Sequence, residues 1–296
     1  MEKRSAGVRV NNLAAPSPRY EQIRLPRTRL HCVTCGDGPP LIIVPATVSL
    51  ISQWMPLAQF MGLRFKATFF ELPGHGGSSP YPFPFSSHAV PQTVEALVDH
   101  LGYERFNLMG FSFGGLLALR TLEYLQERIE NVILLSPVVS CRAVQYSRAR
   151  QLMMRSMAGA LKRRRIRLIV HQILHSDRLE RPLLSGISAF GNIDRRILEG
   201  KDALHLPVST LDVFAHTLDE ILSTEYHAPA PFSMPCFFAM SVYDDLLDYE
   251  LTAAIVRRQF SNLTMEKFFL PYHQPPHPPT FEWLLDEFGS FLERMV

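Results

Sequence analysis

A serine set between two glycines is the residue of this chain whose setting points most directly to chemistry. Ser112 is the centre of the segment GFSFG, residues 110–114. The apolar run Phe106 to Met109 before it predicts a strand, and the run that begins at Gly115 predicts a helix. A serine on so sharp a turn exposes its hydroxyl above a sheet, and the glycines relieve the crowding of the turn. The segment therefore predicts a nucleophilic serine.

An acid and a histidine that could activate this serine follow two later strands. Asp244 comes after the strand predicted over Cys236 to Met240, and His273 comes after the strand predicted over Met265 to Leu270. Such strand ends meet at one edge of a parallel sheet, where α/β proteins bind their ligands. The chain order of Ser112, Asp244 and His273 is also one of the known orders of a serine triad.

Each of the two partners has competitors nearby in the sequence. Asp245 and Asp248 compete with Asp244, which we favour because Asp248 is well placed to cap the next helix and Asp245 lies elsewhere on the turn. His277 competes with His273, which we favour for its position directly after the strand.

The remaining elements alternate in a way that is typical of a parallel α/β sheet. We predict strands at 29–34, 41–44, 65–72, 106–109 and 132–135, with helices at 54–61, 91–101 and 115–128 between them. The continuous apolar run 41–44 is typical of a strand that is covered on both faces. Helices at 248–260 and 280–295 complete the pattern.

A long segment without strand character interrupts this alternation. Helical stretches fill it, so we predict a helical cap or lid at 138–227, inserted into a core formed by 20–137 and 228–296. The Pro-Ala-Pro segment at 229–231 is interpreted as the linker back to the sheet. Residues 1–19, which are polar and basic, are expected to form a flexible tail.

The composition argues against several classes of function. The net charge of +2, with 20% charged residues, is too close to neutral to indicate binding to nucleic acid or to an anionic membrane. No apolar run approaches the roughly 20 residues that span a bilayer, and the N-terminus carries no apolar targeting segment. We therefore expect a cytoplasmic protein without stable membrane insertion.

Four cysteines are too few and too scattered for a disulfide framework. Cys32-x-x-Cys35, the one close pair, lies on a predicted strand, whereas a redox motif would start a helix and a zinc site would need a second pair. We expect neither a metal nor a cofactor.

Taken together, these segments resemble the α/β-hydrolase superfamily over nearly the whole chain, from Tyr20 to Met295. Residues 71–78, ELPGHGGS, are similar to that family's D-x-x-G-x-G-x-S segment, with Glu71 in place of aspartate. The stretch SVYDDLL at 241–247 is similar to the G-x-x-D segment of the triad acid, and His273-x-Pro275 is similar to G-H-x-P. His75, inside the first of these segments, is interpreted as structural.

The resemblance implies a role for each residue. Ser112 would attack an acyl carbonyl, His273 would take and later return the proton, and Asp244 would orient the imidazole. The backbone amides of Thr47 and Phe113 would form the oxyanion hole. The family's usual His-Gly in the loop of Thr47 is Pro45-Ala46 here, but an amide donor depends on loop shape more than on residue type.

The resemblance further implies a carboxylesterase or lipase-like serine hydrolase acting on a small acyl substrate. Thioesterases, C–C bond hydrolases, acyltransferases and non-catalytic binding homologues of the same fold stay open as alternatives. Haloalkane dehalogenases and epoxide hydrolases of this fold carry an aspartate nucleophile, so Ser112 argues against both. For an apolar substrate pocket we expect Trp54, Phe111, Leu246, Met153 and Met157. The oligomeric state is left open.

Overall fold

One mixed sheet forms the centre of the protein. The computed structural model describes residues 13–48, 50–174, 207–228, 230–275, 278–292 and 294–295. Within them, eight strands lie in the order β1-β2-β4-β3-β5-β6-β7-β8. The strands are β1 Arg19–Arg24, β2 Arg29–Cys35, β3 Pro40–Val44, β4 Lys66–Phe70, β5 Phe106–Phe111, β6 Ile129–Leu135, β7 Cys236–Ser241 and β8 Leu263–Phe268.

All strand pairs from β4 to β8 are parallel, and only β1 and β2 run antiparallel to their neighbours. The prediction of a mainly parallel α/β sheet is confirmed. The strands that carry it are apolar on both faces because helices cover both sides, as the four buried residues of Leu41 to Val44 show.

Eight α-helices accompany the sheet in the described part of the chain. They are α1 Ile51–Met61, α2 Val90–His100, α3 Phe113–Leu125, α4 Arg148–Leu161, α5 Arg164–Leu174, α6 Val208–Ile221, α7 Tyr249–Gln259 and α8 Phe281–Leu292. Helices α1 and α8 bury their apolar sides against one face of the sheet, and α2, α3 and α7 cover the other. Two separate apolar cores result, one on each face.

The two faces can be followed residue by residue along β5. Leu108 belongs to the core under α2, α3 and α7, whereas Met109 belongs to the core under α1 and α8. This alternation is the period of two that a strand imposes on its side chains. It places Phe111, two residues after Met109, on the α1 and α8 face, where it packs against that core.

Strand β1 was missed by the sequence analysis. Only Ile23 of its six residues is buried, so the apolar alternation that would reveal a half-buried strand is lacking. An edge strand can form without it, since its backbone pairs with β2 along its whole length from Arg19 to Arg24.

In the described part of the chain, three helices, α4, α5 and α6, lie between β6 and β7. Residues 175–206, and Pro229 of the expected linker, fall outside the described residues. The division into tail, core and cap therefore stays a prediction.

Helix α6 packs directly on the core, because the Thr210 hydroxyl donates to the Gly74 carbonyl at 2.9 Å. A carboxylate of α6, Glu220, pairs with Arg120 of α3 at 3.2 Å.

Core packing provides the first test of the fold. Phe238, in the middle of β7, is fully buried, so Phe238→Ala should lower the free energy of unfolding by about 3–5 kcal/mol, measured by urea denaturation. The control, Phe269→Ala, removes the same atoms from a side chain that is 68% exposed and should change stability by less than about 0.5 kcal/mol. Similar losses in the two variants would contradict this packing.

Candidate active site

The turn that carries Ser112 has an unusual backbone. Ser112 has φ of 53° and ψ of −122°, a conformation that L-residues rarely adopt. A Cβ added to Gly110 would lie 2.2 Å from the Gly114 carbonyl oxygen, and one added to Gly114 would lie 2.4 Å from the Val44 carbonyl oxygen. The two glycines of the G-x-S-x-G segment are therefore required by close backbone contacts.

Neighbouring backbone holds this conformation in place. The Ser112 amide donates to the Leu135 carbonyl at 3.0 Å, and the Ser112 carbonyl accepts from Gly115 at 2.9 Å and from Val138 at 2.8 Å. These bonds come from the end of β6 and the start of α3. The strain at one residue is thus offset by its rigid surroundings.

Ser112, His273 and Asp244 form a continuous hydrogen-bonded row. The Ser112 Oγ lies 2.7 Å from His273 Nε2, and His273 Nδ1 lies 2.7 Å from Asp244 Oδ2. The side chain of Asp244 is fully buried and that of His273 is 8% exposed. Because a buried carboxylate only accepts, Nδ1 must carry the proton, which leaves Nε2 as the acceptor for the serine hydroxyl.

The Asp244 carboxylate is held from both sides. Its Oδ1 accepts from the amides of Leu246 at 2.9 Å and Leu247 at 2.8 Å, while Oδ2 faces the imidazole of His273. The Gln145 side chain donates to the Asp244 carbonyl at 2.7 Å. The carboxylate therefore cannot rotate away from the imidazole without losing hydrogen bonds.

The competitors for these roles have other contacts. Asp245 accepts from the backbone amide of His273 at 2.7 Å, so it fixes the histidine loop rather than the ring. Asp248 caps α7 by accepting from Leu251 at 2.7 Å, which confirms the expected capping role. His277 lies outside the described residues.

An aromatic row packs against the imidazole. The Phe111 ring stacks on His273 with centroids 5.4 Å apart and planes 23° apart, and Trp54 packs on Phe111 at 5.4 Å. The imidazole is thus confined both by its hydrogen bonds and by an apolar surface.

A cavity of about 100 Å³ lies beside this row, between the sheet, α1 and α8. Its wall includes two of the expected pocket residues, Trp54 and Phe111, together with His273. Among the described residues, the wall does not include Leu246, Met153 or Met157. The two methionines are instead 37% and 54% exposed on α4, and the apolar spacing of that helix could not show which side faces solvent.

The expected oxyanion donors lie on segments that meet at the Ser112 turn. Phe113 is the first residue of α3, and the amides of a first helical turn have no partner within the helix. A Cβ on Gly114 would lie 2.9 Å from the Pro45 carbonyl oxygen, so the loop that leads to Thr47 packs directly on the turn. The oxyanion role of the two amides stays a prediction.

Glu71 has a structural role that the sequence analysis missed. Its carboxylate, buried at the end of β4, accepts from the Ile51 amide at 2.9 Å, from the Gly77 amide at 2.6 Å and faces His31 Nδ1 at 3.1 Å. Helix α1 has no side-chain cap of its own at Leu50, so Glu71 provides an acceptor at its first turn from a distant part of the chain. The sequence feature that could have indicated this role is the glutamate at position 71, where the family's segment has an aspartate.

No metal site is visible in the described part of the chain, where no three His, Cys, Asp or Glu side chains cluster suitably. Cys32 and Cys35 are buried on β2 as free thiols, and burial raises the pKa of Cys32 to about 12 and that of Cys35 to about 11. Thiols held in this protonated state are poor nucleophiles. None of the described helices is both long and apolar enough to span a bilayer.

Comparisons with known proteins agree with this fold. A profile of the alpha/beta hydrolase fold matches residues 39–204. A pimeloyl-[acyl-carrier protein] methyl ester esterase from Nitrosomonas europaea is 27% identical over 36% of this chain and 40% of its own length. A soluble epoxide hydrolase from a Corynebacterium species is 24% identical over 40% of this chain and 42% of its own. The chain thus aligns with less than half of the length of either relative.

Among solved structures, a thermophilic esterase from Thermogutta terrifontis superposes with a TM-score of 0.65. It is 19% identical, and the match covers 94% of this chain and 99% of that one. At this identity the similarity shows the fold alone.

His75, expected to be structural, is fully buried in the loop after β4. Neither of its ring nitrogens has a hydrogen-bond partner in the described structure, and burial lowers its pKa to about 4. The folded protein therefore keeps this imidazole neutral over a pH range in which the unfolded chain protonates it.

This difference predicts a pH dependence of stability. Between pH 6.5 and 4 the unfolded chain binds a proton at His75 and the folded protein does not, so stability must fall as the pH falls, by at most about 3 kcal/mol. His75→Leu should flatten the curve of unfolding free energy against pH in that window. The exposed His88→Leu is the control and should keep the wild-type slope. Equal slopes in wild type and His75→Leu would refute the assignment.

Proposed function

Because the chain belongs to the α/β-hydrolase fold family, we propose that it is a serine hydrolase that cleaves carboxylic esters. Ser112, His273 and Asp244 are its catalytic residues. The observation that carries the proposal is the imidazole of His273, which is 2.7 Å from the serine hydroxyl on one side and 2.7 Å from a buried carboxylate on the other. This arrangement turns a weak nucleophile into a reactive one.

In the first step, Ser112 Oγ attacks the ester carbonyl while its proton moves to His273 Nε2. The Asp244 carboxylate stabilises the resulting imidazolium through its bond to Nδ1. The negative charge on the former carbonyl oxygen is bound by the amides of Phe113 and Thr47. Each such donor is worth roughly 10²–10³ in rate.

In the second step, the tetrahedral intermediate collapses. The C–O bond to the alcohol breaks, and the proton on His273 Nε2 moves to the departing oxygen. A water molecule, deprotonated by the same nitrogen, then attacks the carbonyl of the acyl-Ser112 ester. The C–Oγ bond breaks, the proton on Nε2 returns to Ser112 Oγ, and the acid leaves. The helical segment 138–227 would cover this site as a cap, with 20–137 and 228–296 as the core.

A thioester or a C–C substrate would use the same first step, so the choice of an ester depends on the cavity. The cavity beside His273 is apolar, and no Asp, Glu, Lys or Arg is found among its described lining residues. Such a wall favours a neutral apolar ester over a large charged thioester. Ser112 also argues against the hydrolysis of epoxides, because the epoxide hydrolases of this fold are expected to carry an aspartate nucleophile.

The decisive test compares wild type with Ser112→Ala on p-nitrophenyl esters from acetate to palmitate. Wild type should turn over at least one ester, and Ser112→Ala should lose about 10⁴-fold or more of that rate. Ser223→Ala, which removes an exposed hydroxyl bonded to the Asp219 carbonyl, is the control and should keep full activity. In parallel, a fluorophosphonate probe should label Ser112 in the wild type only.

Equal, negligible rates in wild type and Ser112→Ala, without labelling, would instead favour a binding protein of the same fold. Labelling without turnover of any p-nitrophenyl ester would keep the serine nucleophile and exclude these esters as substrates.

Glu71 anchors the first turn of α1, which follows the proposed oxyanion loop. Glu71→Ala leaves the amides of Ile51 and Gly77 without their acceptor, so the loop of Thr47 should lose its fixed position. We expect kcat to fall about tenfold or more with little change in KM, because a misplaced donor weakens the transition state more than the ground state.

Glu71→Gln keeps one acceptor oxygen and should recover part of kcat, whereas the exposed Glu104→Ala is the matched control. Loss of thermal stability with an unchanged kcat in Glu71→Ala would show that Glu71 supports the fold only.

A further inference from the structure

The apolar cavity beside the triad has one contact with the catalytic row. Among the described residues, His273 borders the cavity, while Ser112 and Asp244 do not. We propose that this cavity binds the leaving group of the substrate, and that this group is a neutral alkyl or aryl alcohol. The inference rests on the proposed serine hydrolase activity and adds to it the identity of the group that departs.

The role of His273 in the second step indicates which part of the ester the cavity binds. The departing oxygen must receive the proton from His273 Nε2, so the alcohol must lie next to this imidazole when the C–O bond breaks. The proton that left the Ser112 hydroxyl ends on the alcohol, and the acyl group stays on Ser112 Oγ. The cavity borders the catalytic row at His273, so it is the site that fits the alcohol portion of the ester.

The two phenylalanines that flank Ser112 have their side chains on opposite faces of the sheet. Phe113, whose amide is the proposed donor, is fully buried in the core under α2, α3 and α7. Phe111, on the other side of Ser112, packs on the opposite face and lines the cavity. Of these two side chains, Phe111 therefore borders the cavity, next to the imidazole of His273 on which it stacks.

The wall chemistry defines the class of alcohol. Aromatic and aliphatic side chains from both helices and from β8 make up most of it, including Trp54, Phe60, Phe268, Leu284 and Phe288. Its few polar groups are largely occupied, as shown by Ser241, whose hydroxyl donates to the Leu270 carbonyl at 2.5 Å and accepts from the Tyr243 amide at 3.1 Å. Among the described lining residues no Asp, Glu, Lys or Arg would pair with a phosphate or an ammonium, so the alcohol should carry neither.

Size is the second constraint. The cavity volume is about 100 Å³, smaller than a typical site for a drug-sized molecule, so it suits a chain of several carbons or one ring. Each methylene moved from water into such a wall contributes about 0.8 kcal/mol, close to a fourfold change in affinity. The rate should therefore rise with the length of the alcohol until the cavity is filled.

Two series of esters test this inference. One keeps the acetyl group and lengthens the alcohol, from ethyl through butyl to hexyl and benzyl acetate. The other keeps ethanol and lengthens the acid, from ethyl acetate to ethyl hexanoate. In wild type, kcat/KM should rise about tenfold or more from ethyl to hexyl acetate.

A pair of variants on one helix locates the effect. Leu284→Phe adds volume at the cavity wall, and Leu292→Phe makes the same change on α8 at a buried leucine that does not line the cavity. Leu284→Phe should lower kcat/KM for hexyl acetate about tenfold and leave ethyl acetate and ethyl hexanoate within about twofold of wild type. Leu292→Phe should leave the ratio of hexyl to ethyl acetate unchanged.

A measurement on the wild type alone avoids dependence on the folding of a variant. Hexan-1-ol should inhibit hydrolysis of ethyl acetate, and hexanamide, a neutral analogue of the acyl group, should inhibit it at least about tenfold more weakly. Stronger inhibition by hexanamide, or a loss in Leu284→Phe that follows acid length, would overturn the inference and assign the cavity to the acyl group.

Fluorophosphonate labelling separates this inference from the proposed function. If Ser112 is labelled and esters are cleaved, but neither alcohol length nor Leu284→Phe affects the rates, the cavity has no part in leaving-group binding and only this inference fails. If Ser112 is not labelled and no ester is cleaved, the proposed function fails and removes the premise.

Discussion

The hydrogen bond between His273 Nε2 and Ser112 Oγ joins residues that are 161 positions apart in the chain. It can form at 2.7 Å only if the ends of β5 and β8 come to one edge of the sheet and the loop after β8 folds back over β5. The other contacts near the site position either the serine hydroxyl or the imidazole. The strained turn presents the hydroxyl, and the buried carboxylate of Asp244 holds the imidazole.

Strain and rigidity are closely linked at the turn. The positive φ of Ser112 is unfavourable for an L-residue, and it persists because the backbone bonds to Leu135 and Val138 and the close approach of Gly114 to β3 leave no alternative. The apolar cores on both faces of the sheet keep these strands fixed. Stability of the fold and the proposed reactivity of the serine therefore depend on the same packing.

A second layer of polar contacts connects the site to the rest of the protein. Glu71 joins the end of β4 to the first turn of α1, and so fixes the start of the helix that follows Thr47. Asp245 fixes the loop of His273 through its backbone amide. These carboxylates have no direct role in the proposed chemistry. They set the positions of the groups that do, which is why residues outside the triad should affect kcat.

The sequence by itself determined the fold class and the candidate residues of the site. The motif around Ser112, the strand ends that precede Asp244 and His273, and the alternating apolar runs are local patterns, and local patterns follow from backbone sterics and the periods of helices and strands. The exposed edge strand β1 escaped prediction because it lacks such a pattern.

Only the tertiary structure decided which side chains meet. It gave Glu71 its role at α1, placed the cavity between α1, α8 and the sheet, and turned Met153 and Met157 toward solvent. Each of these depends on contacts between segments that are distant in sequence, whose geometry is set by the packing of whole helices on the sheet. No spacing within one segment contains that information.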